Sequence, residues 1–277
     1  MKKACVIGWP ITHSRSPIIH GYWLKKYGIE GSYTKEAVKP EDLAAFLGSL
    51  AAKGYAGCNV TVPHKEAAYA LADVKDASTV AAGAANTLWL KGGRLRAANT
   101  DTYGFMTHLN VSAPGWFERE APVCILGAGG AARAIVMGFL EAGCTEVRVC
   151  NRSRDRSQDL ANHFGSSVRA LDWEQREQAS SDACVIVNTT TLGMIGQPAL
   201  DLDVSKLAPD CVVADIVYVP LETPLLTAAR ARGLRTVDGL GMLLHQAAPG
   251  FQKWFGVKPE VTPELRALVE ADIKGQA

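Results

Sequence analysis

The chain has 277 residues, of which 48% are hydrophobic and 21% charged, with a formal net charge of +1. That length accommodates two ordinary domains, and the composition supports a full apolar core. The near-neutral balance excludes a broad basic face for nucleic acid or an anionic membrane, and the apolar runs, broken by glycine and charge, are too short to span a bilayer. The seven cysteines include no Cys-x-x-Cys pair and no cysteine/histidine cluster at metal-ligand spacing, so no metal is expected. Cys5, Cys124, Cys150, Cys184 and Cys211 fall in apolar strand-like runs, where a reduced cysteine is a small core residue. Met1 to Gly8 enters a strand pattern with no signal-peptide apolar core, and the expected compartment is the cytoplasm.

Lys3 to Gly8 reads as a buried strand, and Ser16-Pro17 as the N-cap and first turn of a helix over Ile18 to Tyr27. The hydroxyls of Ser14 and Ser16 beside that helix start are either a cradle for a carboxylate or phosphate, or a cap and a loop residue. A strand over Ser32 to Val38 follows. Pro40 then starts a helix with Leu43, Phe46, Leu47 and Leu50 on one face, ended by Gly54. This βαβ rhythm continues into Asn59-Val-Thr-Val-Pro-His-Lys65, a strand over Asn59 to Val62 that stops at Pro63 in the first turn of a helix. Lys65 in that turn opposes the positive end of the helix dipole; it is either a solvated lysine or a group kept for chemistry. Two short runs around Gly92-Gly93 predict a hairpin. It leads into Asn99-Thr-Asp101, where Asp101 reads as the N-cap of the next helix; Asn86 and Asn99 favour turns for local reasons.

Val123-Cys-Ile-Leu-Gly127-Ala-Gly129-Gly130-Ala-Ala132 is the strongest single motif. A buried strand runs into G-x-G-x-x-A and directly into a helix over Ala131 to Ala142, with Thr145 to Cys150 as the next strand. That context makes it a dinucleotide-binding βαβ unit. An NAD enzyme would usually place an acid at the end of the second strand. Here Asn151-Arg152-Ser-Arg154-Asp-Arg156 suits a 2′-phosphate, and the expected cofactor is NADP. The alternative is a solvated basic helix start. Strands over Ala183 to Asn188, Cys211 to Val217 and Leu234 to Val237, with a helix over Pro224 to Arg232, complete a doubly wound sheet. Asp238-Gly-Leu-Gly-Met-Leu opens an apolar helix that passes Pro249 to reach Trp254, and Thr262 caps a last one. Gln246 on the first of these either reaches a ligand or is incidental on a core-facing helix.

In this order the motifs resemble those of shikimate dehydrogenases. Gly8 to Pro17, Asn59 to Lys65, Gly83 to Thr87 and Asn99 to Asp101 match the family's substrate domain. Gly127 to Ala131, Asn151-Arg152 with Arg156, Asp215 with Tyr218 and Pro220, and Asp238 to Leu243 with Gln246 match the rest. The resemblance implies an α/β protein of two domains. Residues 1–105, completed by C-terminal helices over 239–277 packing back on them, would form a substrate-binding and catalytic domain with a mostly parallel sheet. Residues 106–238 would form the Rossmann-type NADP domain. It implies reversible NADPH-dependent reduction of 3-dehydroshikimate to shikimate, in aromatic amino acid and chorismate biosynthesis, with a small-molecule substrate, no nucleic-acid or membrane partner, and a monomer or homodimer.

Carried onto these positions, the resemblance makes Lys65 the general acid/base and Asp101 its partner. Ser14 and Ser16 would hold the substrate carboxylate, and Thr61, Asn86, Asp101, Tyr218 and Gln246 the ring and its hydroxyls. Gly127, Ala128, Gly129, Gly130 and Ala131 would carry the cofactor, with Asn151, Arg152 and Arg156 around its 2′-phosphate. Thr190, Ile216, Gly239 and Met242 would flank the nicotinamide. The family often has an acid where this chain has Ala77, beside Asp76, and a valine where it has Ala85. A quinate/shikimate dehydrogenase using NAD is the rival within the same chemistry, and an NADP-binding regulator that keeps the fold is the rival outside it.

Overall fold

The computed structural model describes residues 1–276. Its elements run β1 (Lys2–Gly8), α1 (Ser16–Lys26), β2 (Gly31–Ala37), α2 (Leu43–Gly48), β3 (Tyr55–Val60), α3 (Lys65–Leu71), β4 (Val74–Lys75), α4 (Ala77–Ala82), β5 (Thr87–Lys91) and β6 (Arg94–Ala98). Next come α5 (Asp101–Ser112), β7 (Val123–Leu126), α6 (Gly130–Glu141), β8 (Val147–Asn151), α7 (Arg154–Phe164), β9 (Val168–Asp172), α8 (Arg176–Ser180) and β10 (Val185–Asn188). The chain closes with β11 (Val212–Asp215), α9 (Pro224–Ala231), β12 (Arg235–Val237), α10 (Gly239–Phe255) and α11 (Pro263–Gln276). It divides into two compact units. The first holds Met1–Asp101 with Gln246–Asp272, the second Thr102–His245 with the residues from Ile273 on. No helix among the described residues is long and apolar enough to cross a membrane.

The first unit is built on a sheet of order β2-β1-β3-β5-β6-β4. β1 pairs in parallel with β2 and β3, β4 pairs in parallel with β6, and β5 is antiparallel to β3 and β6. Cys5, Ile7, Cys58, Val60, Leu88 and Ala97 bury one face of this sheet against Leu43, Leu47, Leu50 and Ala68 from α2, α3 and their flanks. The C-terminal segment is part of the same body. The Trp254 indole on α10 donates to the Leu88 carbonyl on β5 at 2.8 Å, and the Trp23 indole on α1 donates to the Glu260 carbonyl at 2.8 Å. The Arg15 guanidinium lies 3.1 Å from the Asp272 carboxylate. Gly57 makes the first contact possible, because a Cβ there would stand 2.4 Å from the Trp254 indole nitrogen and 2.1 Å from the Leu88 oxygen.

The second unit is a six-stranded, wholly parallel sheet of order β12-β11-β10-β7-β8-β9. Val123, Ile125, Val149, Val187 and Ala214 face one buried layer, and Cys124, Leu126, Cys150, Ile186 and Val213 face the other. Both faces are covered, as a parallel sheet requires. The strand order reverses between β7 and β10, which creates the switch point at their carboxyl ends where ligands of such sheets bind.

Several local expectations need correction. Ser16 is the first residue of α1 rather than its cap; the cap position is Arg15, whose side chain does not cap the helix. β3 ends at Val60, and its ladder runs one further step, the Thr61 N–H donating to the Ile7 carbonyl at 3.0 Å, before the chain turns. Pro63 stands in that turn and not in the helix, which begins at Lys65. Asp101 is the first residue of α5, and its carboxylate does not cap it. β9 had no counterpart in the sequence reading, because Val-Arg-Ala-Leu-Asp is an edge strand with exposed polar positions and not an apolar run.

Candidate functional site

In the first unit, the turn after β3 and the start of α3 bring Lys65 to the end of β5. The Lys65 carbonyl accepts from the Ala85 N–H at 2.9 Å, and the Asn86 backbone bridges to Val60 (2.8 Å) and Ala98 (3.1 Å). Held this way, the Lys65 ammonium donates to Asp101 Oδ2 at 2.8 Å, and the Asn86 amide donates to Asp101 Oδ1 at 2.8 Å. The Asp101 side chain is 10% exposed and that of Lys65 33%, so the carboxylate is largely withdrawn from water while the ammonium remains accessible. A carboxylate so buried needs both donors, because its desolvation is otherwise uncompensated.

The orientation of the Asn86 amide follows from its surroundings. The Thr100 backbone N–H, which can only donate, meets Asn86 Oδ1 at 2.9 Å. The Thr87 hydroxyl approaches the same oxygen at 3.0 Å. The NH₂ group is therefore the end that points at Asp101, and its second hydrogen is left for another acceptor. Thr100 also reaches Gln246, its hydroxyl donating to the Gln246 carbonyl at 2.8 Å with the side-chain oxygen 3.4 Å away. Lys65, Asp101, Asn86 and Gln246 thus belong to one connected cluster.

Ser14 and Ser16 meet at the start of α1, where the Ser16 N–H points to the Ser14 hydroxyl at 3.4 Å. Thr61 sits in the turn after β3; its carbonyl accepts from the His64 N–H at 3.0 Å. Gly8 is required beside it, because a Cβ there would come 2.6 Å from the Thr61 methyl. Sequence reasoning gave no role to Asn59, Thr87 or Thr100, which turn out to be buried and bonded around Asn86. The available signal was Asn59 itself, a strand-averse residue inside a buried strand.

The remaining candidates lie in the second unit. Gly127 leaves β7 with φ +109°, and a Cβ on it would strike the Thr189 hydroxyl at 2.5 Å and the Thr190 methyl at 3.1 Å. A Cβ on Gly129 or Gly130 would meet nothing within 4 Å. Gly127 is thus needed by the fold, whereas Gly129 and Gly130, with half-buried Ala128 and Ala131, line open space at the N-terminus of α6. That is the geometry in which backbone N–H groups accept a pyrophosphate. β8 ends at Asn151, whose amide donates to the Ser153 carbonyl at 2.8 Å. Arg152 and Arg156 are exposed, while Arg154 lies 3.5 Å from Asp172. Thr190 is fixed by its N–H and hydroxyl on Asn188 Oδ1, at 3.0 and 2.7 Å. Gly239 lets α10 start against the end of β11, since a Cβ there would fall 2.2 Å from the Ile216 carbonyl. Met242 and Ile216 pack on the same buried cluster, and Tyr218 is half-buried just past β11. No group of metal-binding side chains occurs among the described residues.

Models of three domains match the chain: a shikimate dehydrogenase substrate binding domain over residues 6–88, a shikimate / quinate 5-dehydrogenase domain over 116–199, and a shikimate 5'-dehydrogenase C-terminal domain over 239–268. The chain belongs to the shikimate dehydrogenase family. Its relatives within that family include the shikimate dehydrogenase (NADP(+)) of Azorhizobium caulinodans, 55% identical over 278 residues and covering 100% of this chain and 99% of that one. Another is the protein of the same name from Rhodopseudomonas palustris strain BisB5, 56% identical over 274 residues, with 99% and 96% covered. Among solved structures, shikimate 5-dehydrogenase from Thermus thermophilus in complex with NADP(H) and shikimate superposes with a TM-score of 0.85 at 34% identity, covering 100% of each chain. The quinate dehydrogenase from Corynebacterium glutamicum in complex with NAD gives 0.90 at 30% identity, covering 98% of this chain and 100% of that one.

One family position has a physical consequence of its own. Asp215, 2% exposed at the end of β11, accepts from Asn188, the Val217 N–H and the Thr223 hydroxyl at 2.8–3.0 Å. Burial pushes its carboxyl up to about 6, against the opposing pull of those three donors. A carboxyl raised in the folded state binds its proton more tightly there than in the unfolded chain, so its contribution falls as pH rises from about 4 to about 6. At 1.36 kcal/mol per tenfold this amounts to about 3 kcal/mol. Asp215→Asn is expected to lack that decline when denaturant unfolding is measured at pH 4, 5, 6 and 7; a variant with the wild-type pH dependence would show that Asp215 titrates normally.

Proposed function

We propose that this chain is an NADP-dependent shikimate dehydrogenase, reversibly reducing 3-dehydroshikimate to shikimate with Lys65 as general acid/base and Asp101 as its partner. It is an oxidoreductase, and its cofactor is NADP. The observation that carries the residue assignment is the pair of 2.8 Å bonds from Lys65 and Asn86 to the two oxygens of Asp101. We assign residues 1–105 with 239–277 to substrate binding and catalysis, and 106–238 to the cofactor.

When bound, the cofactor supplies hydride to the C3 carbonyl carbon of the substrate. As negative charge develops on the carbonyl oxygen, the Lys65 ammonium donates a hydrogen bond to it and then its proton, leaving a neutral amine. In the oxidative direction the amine takes the proton from the C3 hydroxyl. Asp101 keeps the lysine in place through both states, because Asn86 holds the opposite carboxylate oxygen. Positioned proton transfer of this kind contributes about 10²–10⁴ in rate. The free hydrogen of the Asn86 amide, the side chain of Gln246, Thr61 and Tyr218 serve the ring hydroxyls, and Ser14 and Ser16 serve the carboxylate. Open space over Gly129 and Gly130 accommodates the pyrophosphate, and exposed Arg152 and Arg156 beside neutral Asn151 suit a 2′-phosphate.

Likeness to the NAD-bound quinate dehydrogenase makes NAD the reading to exclude. It would call for an acid at the end of β8, where Asn151 stands.

With shikimate and NADP⁺ the purified protein is expected to produce NADPH, followed by its absorbance; no turnover would sink the activity, and a preference for NAD⁺ would sink the cofactor assignment. Lys65→Ala is expected to lower kcat by about 10²-fold or more with a much smaller change in substrate KM. A raised KM with kcat intact would make Lys65 a binding residue instead. Arg152→Ala should raise the KM for NADP⁺ by about tenfold, as the loss of a charge-assisted hydrogen bond does, and leave that for NAD⁺ nearly unchanged. Equal effects on both cofactors would remove the phosphate contact.

A further inference from the structure

The Asp101 carboxylate is the end of a longer line of buried hydrogen bonds in the first unit. The Tyr33 hydroxyl on β2 donates to Asn59 Oδ1 at 2.6 Å. The Asn59 amide on β3 donates to the Thr87 hydroxyl at 3.2 Å and to the Asn86 carbonyl, also at 3.2 Å. The Thr87 hydroxyl on β5 donates to Asn86 Oδ1 at 3.0 Å, and the Asn86 amide donates to Asp101 Oδ1 at 2.8 Å. Tyr33, Asn59, Thr87, Asn86 and Asp101 are all buried.

The shorter contacts assign the protons along this line, the Thr87 hydroxyl lying 3.0 Å from Asn86 Oδ1 and 3.4 Å from the Thr100 hydroxyl. Asn59 cannot be flipped, because its NH₂ faces a backbone carbonyl, which only accepts. Its oxygen must therefore receive the Tyr33 proton, and its NH₂ occupies a lone pair of the Thr87 hydroxyl. The Thr100 hydroxyl has a better acceptor in the Gln246 carbonyl at 2.8 Å than in Asn86 at 3.1 Å, so the Thr87 proton is the side-chain donor left for Asn86 Oδ1. Behind Tyr33 stands the His20 ring, stacked at 4.0 Å and wholly buried. Burial lowers His20 to about 3, so it stays neutral and adds no charge to the head of the line.

We propose that Thr87 is a positioning residue for the proton-transfer pair: with Asn59 and Tyr33 behind it, its hydroxyl pins the Asn86 amide so that Asn86 donates to Asp101 and Asp101 presents Oδ2 to Lys65. Without the hydroxyl, Asn86 Oδ1 keeps the Thr100 N–H and the longer 3.1 Å approach of the Thr100 hydroxyl but loses its shorter side-chain donor, and the amide is held less firmly against Asp101. This inference rests on the reading of Lys65 and Asp101 given above.

Thr87→Val keeps the shape of the side chain and removes its hydrogen bonds. It is expected to lower kcat by about tenfold, the equivalent of about 1.4 kcal/mol, while substrate KM changes by less than about threefold. Thr87→Ser should return kcat to within about threefold of the wild type. Added to Lys65→Ala, Thr87→Val should cost little more, because both act on one proton transfer. Tyr33→Phe, which keeps the ring on His20 and removes only the head donor, should lower kcat by about threefold, and it decides the matter where Thr87→Val fails to fold. A wild-type kcat in whichever of these two folds, a Thr87→Ser as slow as Thr87→Val, or full additivity with Lys65→Ala would overturn the inference. Lys65→Ala with undiminished turnover would instead overturn the reading of Lys65. A crippled Lys65→Ala beside an unaffected Thr87→Val would overturn only the positioning by Thr87.

Discussion

Burial of the Asp101 carboxylate forces the arrangement around it. An anion removed from water costs several kcal/mol unless its lone pairs are met by well-aligned donors, and here a cation meets one oxygen and an amide the other. The amide is held in that orientation by donors on its own oxygen, which brings in Thr100 and Thr87; Thr87 in turn brings in Asn59, and Asn59 brings in Tyr33. Five strands and helix starts of the first unit are thereby committed to one charge. The ammonium is the exception, a third exposed and tethered by its partner rather than enclosed.

Glycine supplies the opposite kind of constraint, close approach without side chains, and each instance has a separate purpose. Gly57 admits the Trp254 indole to the Leu88 carbonyl and so fastens α10 on the first sheet. Gly127 admits Thr189 and Thr190 to the end of β7, and Gly239 admits the start of α10 to the Ile216 carbonyl. Gly129 and Gly130 differ from these three, since no protein atom claims the space a Cβ would fill. At the start of α6 that leaves the backbone N–H groups open to an anion.

Elements whose formation is local were legible in the sequence. The β7–loop–α6 unit, the Gly92-Gly93 hairpin and the long apolar helix around Pro249 each carry their own signal in residue order. β9 was not legible, because an edge strand is half solvated and shows no apolar run. The exact end of β3 was missed as well. Val62 continues the alternating pattern, but its side chain is exposed and only its carbonyl, accepting from the Trp9 N–H at 3.1 Å, still pairs with the first strand's end. Within the candidate site, Lys65 stood out at its helix start, the roles of Lys65, Asn86 and Asp101 came from the resemblance, and no periodicity links their positions. Their contact is long-range and exists only because β3, β5 and the start of α5 converge. Thr87 and Asn59 lie within the matched motifs, but only Asn59, a strand-averse residue in a buried strand, carried a signal of its own, and a threonine in a strand is ordinary.

The arginines after β8 show how the fold divides equivalent residues. Arg152, Arg154 and Arg156 are spaced so that sequence alone treats them as one basic cluster. Arg154 opens α7 and lies beside Asp172 at the end of β9, 3.5 Å away, while Asn151 closes its own turn on the Ser153 carbonyl. Pairing one arginine with the neighbouring strand spends little, because both partners are about half exposed. It leaves Arg152 before the helix and Arg156 a half-turn into it as exposed cations after a neutral amide. Two exposed arginines close after an uncharged Asn151 are compatible with an extra phosphate at that strand end and, with no acid at that position, unsuited to grip a bare ribose diol. The discrimination proposed between the two cofactors therefore rests on which residue closes β8 and on which arginine β9 takes out of play.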